Sequence, residues 1–161
     1  MIILSLKLLL LVIAANSAPV IACKLLAKRC SATVDGGLLL ADGHPLFGAS
    51  KTWRGLISAL LLTGFVAFLV ELPLLFGLLF AVVAMAGDLL SSFIKRRLGR
   101  AVSTRAMGLD QIPESLLPLL LGSGMLGYHW SQALAIALAF TVIELSVSPL
   151  LFRLGLRKRP Y

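Results

Sequence analysis

Long apolar runs alternate with short polar segments along this chain, and the runs are long enough to be read as membrane helices. Such a helix needs roughly 20 mostly apolar residues. Five stretches qualify, at about 2–23, 55–72, 74–94, 112–130 and 131–152. The pattern predicts an all-α integral membrane protein with five transmembrane helices in one domain over 1–161. Lys7, Asn16 and Pro19 interrupt the first run. Glu71 and Pro73 mark a tight reversal after the second, and Pro73 suits a helix start. Pro113 and Glu114 open the fourth run, which loosens at Gly122, Gly124 and Gly127. Tyr128, His129 and Trp130 then form an aromatic turn suited to a membrane interface. A cleaved signal peptide over 1–18 is the competing reading of the first run. Against it, mostly apolar residues precede Lys7 and the apolar run continues to Ala22.

Composition agrees with the pattern. Hydrophobic residues make up 59% and charged residues 14% of the chain, where an ordinary soluble domain has roughly 25% charged. A soluble core of this size would not hide so much apolar surface, so the excess faces lipid. Cys23 and Cys30 form no metal-ligand pattern and read as ordinary thiols.

The net charge of +8 would suggest nucleic acid as a partner in a soluble protein, but here it reports topology first. Every lysine and arginine except Lys7 falls in one of three segments. Segment 24–54 holds Lys24, Lys28, Arg29, Lys51 and Arg54; 95–111 holds Lys95, Arg96, Arg97, Arg100 and Arg105; the tail holds Arg153, Arg157, Lys158 and Arg159. Five spans put all three on one side, so the N-terminus is expected outside and the C-terminus in the cytoplasm, with no nucleic-acid partner.

Polar residues inside a span are costly and mark candidate chemistry. Asp88 lies within the third run, roughly 9 Å from its cytoplasmic end at 1.5 Å per residue. Asn16 and Glu144 reach a similar level on two other helices, which predicts a water-accessible cavity open to the cytosol. Asp88, Ser91 or Ser92, and Lys95 share one helix face. A carboxylate that takes Mg²⁺ beside Lys95, Arg96 and Arg97, which take phosphate, is one reading of that face. An ion pair of Asp88 with Lys95 or a neighbouring arginine, serving folding alone, is the other. Asp110 stands at the far end of the same loop, where it can face Asp88. In the first cytoplasmic segment Gly48, Ser50, Lys51, Thr52 and Arg54 precede or open a helix, a setting that suits phosphate. It is not a P-loop, since the glycine spacing differs and no strand precedes it. Lys51 and Arg54 are also ordinary anchors at a cytoplasmic membrane face, and Asn16 and Glu144 are ordinary helix-packing groups.

Taken together, these residues resemble the CDP-archaeol synthase family. The resemblance rests on Asn16-Ser17-Ala18-Pro19, Val34-Asp35-Gly36-Gly37, Phe47-Gly48-Ala49-Ser50-Lys51-Thr52-Trp53-Arg54-Gly55, Gly87-Asp88 through Ser92-Phe93-Ile94-Lys95-Arg96-Arg97, and Leu109-Asp110-Gln111. It covers nearly the whole chain in the family's order. It implies a CTP-dependent cytidylyltransferase of the cytoplasmic membrane, with its active site facing the cytoplasm. A lipid phosphate such as 2,3-di-O-geranylgeranylglyceryl phosphate would attack CTP, giving a CDP-activated lipid and pyrophosphate. Carried over, Asp88 and Asp110 would hold Mg²⁺, and Lys95 would serve catalysis. Lys51, Arg54, Arg96 and Arg97 would hold phosphates, with Ser50 and Thr52 from the same motif. Asn16 and Asp35 would lie near the nucleotide. The family usually carries a further acid two positions after the Asp-Gln pair, where this chain has Pro113 followed by Glu114. The same chemistry on phosphatidic acid is the nearest alternative, and a small transporter lined by Asp88 and Asn16 is the alternative from another class.

Overall fold

The chain reverses direction four times, and local backbone chemistry explains where. The computed structural model describes residues 2–27, 29–102 and 109–153, with side chains as far as Ser148. Lys28, Arg105, Arg157, Lys158 and Arg159 lie outside those limits, as does the side chain of Arg153. Five helices follow one another: α1 Ile2–Leu26, α2 Trp53–Leu69, α3 Leu74–Arg97, α4 Gln111–Leu126 and α5 Trp130–Arg153.

Their ends differ by a few residues from the apolar pattern, for physical reasons. The second run was expected to reach 72, yet α2 stops at Leu69 because Glu71 adopts a left-handed conformation at φ 57°. Glu71 N–H then donates to Phe68 O at 3.1 Å and Leu72 N–H to Ala67 O at 2.9 Å, the paired bonds that close a helix. Pro73 restarts the chain at once as the residue capping α3. The same closure ends α3: Gly99 sits at φ 65°, and Arg100 N–H donates to Lys95 O at 3.0 Å. The fourth run was expected to reach 130, but left-handed Gly127 ends α4 at Leu126.

The helices pack as a closed bundle in chain order, with α1 touching α5 as well as α2 and α3. Two layers fill it. Leu8, Leu11 and Val12 of α1 meet Phe76, Phe80, Leu119, Ile136 and Phe140 in a layer of large side chains. Further along α1 the layer changes to small ones, Ala15 and Ala18 against Ala59, Ala84 and Met85. Small residues let helices approach closely. Gly77 of α3 marks the tightest α2–α3 contact: an added Cβ there would collide with Ala67 Cβ and lie 3.2 Å from Thr63 O. The outer face carries exposed Leu61, Phe65, Phe68, Leu75, Leu138 and Val142, a surface that belongs in an apolar medium. Ile2–Leu26, Leu74–Arg97 and Trp130–Ser148 are long and apolar enough to cross a membrane, and Trp53–Leu69 is a shorter apolar helix.

Contacts sort the two ends of the bundle. At one end Lys7 Nζ lies 3.8 Å from Glu71, and Gln132 donates to Ser5 Oγ at 2.8 Å. At the other, residues 29–52 fold over the C-terminal end of α3. This α1–α2 loop closes on itself through bridges Thr33–Thr52 and Leu39–Pro45, and Val34 N–H donates to Lys51 O at 2.9 Å. Lys51 is thereby held beside the start of α2.

The close approach at Gly77 predicts that Gly77→Ala lowers stability by about 1–3 kcal/mol through overpacking. Gly124→Ala, where an added Cβ meets nothing within 4 Å, should leave stability unchanged or slightly raised. Thermal unfolding of the two variants in detergent compares them directly.

Candidate active site

The last turns of α3 carry buried Ser91, Ser92, Lys95 and Arg96, so polar groups point inward where an apolar helix would carry leucine. Ser91 Oγ donates to the Asp88 carbonyl at 2.9 Å, which leaves the Asp88 carboxylate for other partners. Lys51 reaches it from the α1–α2 loop, with Nζ 2.6 Å from Oδ1 and 2.7 Å from Oδ2. Lys95 turns instead to Asp110, at 2.5 Å. The pairing of Asp88 with Lys95 considered from spacing is therefore replaced by two pairs that join three parts of the chain. Both are largely shielded, the four side chains being between 10% and 21% exposed.

The start of α4 rests directly on α3 beside Asp88. A Cβ added to Gly87 would lie 2.5 Å from the Pro113 carbonyl carbon and 2.9 Å from Glu114 N, so only glycine permits this approach. Gln111, Glu114 and Ser115 are buried behind it. Glu114 is one helical turn after Asp110 and feels the charges of Asp88, Glu144, Lys51 and Asp110. A buried carboxylate at this position is the feature that sequence motifs alone signalled least, because the proline before it displaces the expected acid.

A family model described as CarS-like, CDP-archaeol synthase, matches residues 1–161. The chain belongs to the CDP-archaeol synthase family. The CDP-archaeol synthase of Hyperthermus butylicus is 37% identical over 84% of this chain and 79% of its own length. That of Aeropyrum pernix is 34% identical over 91% and 85%, respectively. A solved structure, described as an intramembrane enzyme for archaeal membrane lipids biosynthesis, superposes with a TM-score of 0.76. It is 32% identical and covers 88% of this chain and 90% of that one.

The remaining residues singled out by the CDP-archaeol synthase resemblance divide by what they touch. Asp35 faces backbone: Oδ2 accepts from Phe47 N–H at 3.0 Å and Gly48 N–H at 2.8 Å, and Oδ1 from Gly37 N–H at 3.0 Å. Burial pushes its carboxyl up, but those donors and the Thr33 hydroxyl outweigh it and bring the pKa down to about 2. Arg54 holds the end of α1, donating to Ala27 O at 2.6 Å and Arg29 O at 2.8 Å, with Cys23 Sγ at 3.2 Å. Arg97 binds Asp42 at 2.5 Å and Pro45 O at 2.8 Å while lying over the Phe93 ring. Asp42 is held below the usual carboxylate range by the His44 N–H and by Arg97.

Arg96 is buried, donates to Ala101 O at 3.0 Å, and lies beside Gly48 of the loop. Asn16 donates to Val12 O of its own helix at 3.0 Å. Ser50 is exposed, and Thr52 bridges to Thr33 without capping α2 through its side chain. The structure thus brings Lys51, Asp88, Lys95, Asp110 and Glu114 together, while Asp35, Arg54 and Arg97 brace the loop above them.

Because the Asp35 pKa is depressed, its contribution to loop stability is complete above its ordinary value of 3.8 and is lost as pH falls toward about 2. Protection of the Phe47 and Gly48 amides, taken relative to the intrinsic exchange rate at each pH, should therefore fall across that interval. In Asp35→Asn these amides should already exchange faster at neutral pH, with the transition absent.

Proposed function

We propose that this chain transfers the cytidylyl group of CTP to a membrane lipid phosphate of the archaeol type, releasing pyrophosphate and leaving a CDP-activated lipid. The observation that carries the reading is the pair of lysine–carboxylate contacts, Lys51–Asp88 and Lys95–Asp110, at the basic end of the bundle in a member of the CDP-archaeol synthase family. Such a site suits a reaction between a highly charged nucleotide and an amphiphile.

In the reaction, an oxygen of the lipid phosphate forms a bond to the α-phosphorus of CTP as the bond to the bridging oxygen of the leaving pyrophosphate breaks. The attacking phosphate is already ionised near neutral pH, so no side chain has to remove a proton. What remains for the protein is alignment and charge neutralisation. Lys51 and Lys95 supply cationic donors to phosphate oxygens. Arg96 adds a buried cation beside the loop. Asp35, Arg54 and Arg97 keep that loop in place rather than touch the substrates.

Among the described residues no three His, Cys, Asp or Glu side chains form a ready cation cage. Mg²⁺ does not require one, since one or two carboxylates with phosphate oxygens suffice, and Asp88 and Asp110 are the donor set that fits. Bound there, the ion would offset charge on the triphosphate and on the leaving group.

We place five spans in the membrane, with the N-terminus outside and the site at the cytoplasmic face. The basic segments 24–54 and 95–100 meet at one end through Lys51–Asp88 and Arg97–Asp42, as the positive-inside rule asks. The 17 residues of α2 and 16 of α4 span only about 25 Å at 1.5 Å per residue, a mismatch that local thinning of the bilayer accommodates. The opposite half is filled by Leu8, Leu11, Phe76 and Phe80, which argues against a transport pathway through the bundle.

Purified protein with labelled CTP and Mg²⁺ should place label in lipid when given geranylgeranyl-type glycerol phosphate. A parallel reaction with phosphatidic acid ranks the two lipid classes, and no lipid-soluble label from either would refute the reading. Asp88→Asn should lower turnover by at least about 100-fold, the scale of losing one transition-state electrostatic contact, with the protein still folded in detergent. In Cys23→Ala protein, a membrane-impermeant maleimide should reach Cys30 in inside-out vesicles and not in right-side-out ones.

A further inference from the structure

Lys51 places its ammonium against both oxygens of Asp88 at 2.6 and 2.7 Å. That edge of the carboxylate is also the one a divalent cation would use. Lys95 covers Asp110 Oδ1 in the same way at 2.5 Å. Each lysine is therefore a resident counterion on a carboxylate assigned to the metal. The four side chains are mostly shielded from water, where removing one partner of an ion pair leaves a costly uncompensated charge.

The backbone at Lys51 is held independently of its side chain. Lys51 N–H donates to Gly48 O at 3.1 Å, and its carbonyl accepts from Val34 N–H, while Asp35 and Arg97 tie down the surrounding loop. The flexible four-carbon stem can thus swing without the loop opening.

We infer that Lys51 and Lys95 are exchangeable counterions, which yield Asp88 and Asp110 to a divalent cation only when a nucleoside triphosphate is there to receive their ammonium groups. This deepens the proposed function and rests on its assignment of the two carboxylates. A divalent cation arriving alone must displace an ammonium from the carboxylate that holds it, with no phosphate oxygen present to take it up. A triphosphate arriving alone finds both ammonium groups engaged. Arriving together, each supplies the countercharge that the other's partner loses. Cation and nucleotide should accordingly bind with positive coupling, by one factor seen from either side, in the ordinary range of about 5- to 150-fold.

The test uses Mn²⁺ as the probe and the full chain in detergent, with free Mn²⁺ read by electron paramagnetic resonance. In wild type, CTP should tighten Mn²⁺ binding by about tenfold or more. In Lys51→Met, Mn²⁺ without nucleotide should bind about tenfold tighter than in wild type, while CTP affinity at saturating Mn²⁺ falls by about tenfold. Lys51→Arg, which keeps the cation, should leave Mn²⁺ alone as weakly bound as in wild type. The double variant Lys51→Met/Asp88→Asn should lose the gain.

A merely structural ion pair predicts otherwise, with metal and nucleotide affinity falling together. Unchanged or weaker Mn²⁺ binding in folded Lys51→Met would overturn the inference, as would a gain that survives in the double variant. If Lys51→Met does not fold, Lys95→Met puts the same question to the Asp110 pair. Wild type that binds Mn²⁺ and CTP with this coupling, yet forms no CDP-lipid, would refute the proposed reaction and leave the exchange standing.

Discussion

Charge cannot stand alone inside an apolar bundle, and the architecture at the basic end follows from that constraint. Asp88 lies on α3, Asp110 at the start of α4, and neither has a carboxylate's usual access to water. Each is neutralised by a lysine from another part of the chain. The Lys51–Asp88 contact ties the α1–α2 loop to α3, and Lys95–Asp110 ties α3 to α4. Buried ion pairs of this kind add little net stability compared with apolar packing, but breaking one is expensive. They therefore specify an arrangement more than they strengthen it.

The rest of the fold makes that arrangement reachable. Large apolar side chains occupy the half of the bundle away from these ion pairs. Toward the site, alanines and Gly87 replace them, so that helices come close enough for short polar side chains to meet. Above it, the loop is not a strand pair or a helix but a folded cap held by side-chain-to-backbone contacts. Asp35 gathers three of its amides, and Arg97 takes two of its carbonyls, those of His44 and Pro45. The backbone around Lys51 is thus fixed by contacts that do not involve its ammonium group.

Much of this was legible in the sequence, for reasons that separate cleanly. The helices declared themselves through run length, and Asp88 through the cost of placing a carboxylate within an apolar run. Helix ends were less legible, since Glu71 in a left-handed conformation is a choice made by the turn, not by hydropathy. The partner of Asp88 was illegible: spacing along α3 offers Lys95, whereas the loop returns Lys51 across 37 residues. Motif membership also did not distinguish residues of the Lys51–Asp88 and Lys95–Asp110 pairs from those that brace the loop above them. Arg54 and Arg97 look like phosphate ligands by type, yet their donors are largely spent on backbone carbonyls and Asp42. Distant pairings of this sort depend on loop folding, and no local pattern encodes them.

At Pro113 the chain departs from the pattern that the family resemblance leads one to expect, and local helix geometry explains what stands there instead. An acid two positions after the Asp-Gln pair would stand at 113, three residues beyond Asp110 and therefore on the same side of a helix. Glu114 stands four residues beyond, which is the same side again. Proline is tolerated at 113 because the first turn of α4 has amides with no partner within the helix, and a missing one leaves no bond broken. The proline carbonyl instead packs against Gly87, where any larger residue would push α4 away. Glu114 is buried within the field of Asp88 and Asp110, so the chain carries an acid one position later on the side of α4 that faces those two carboxylates.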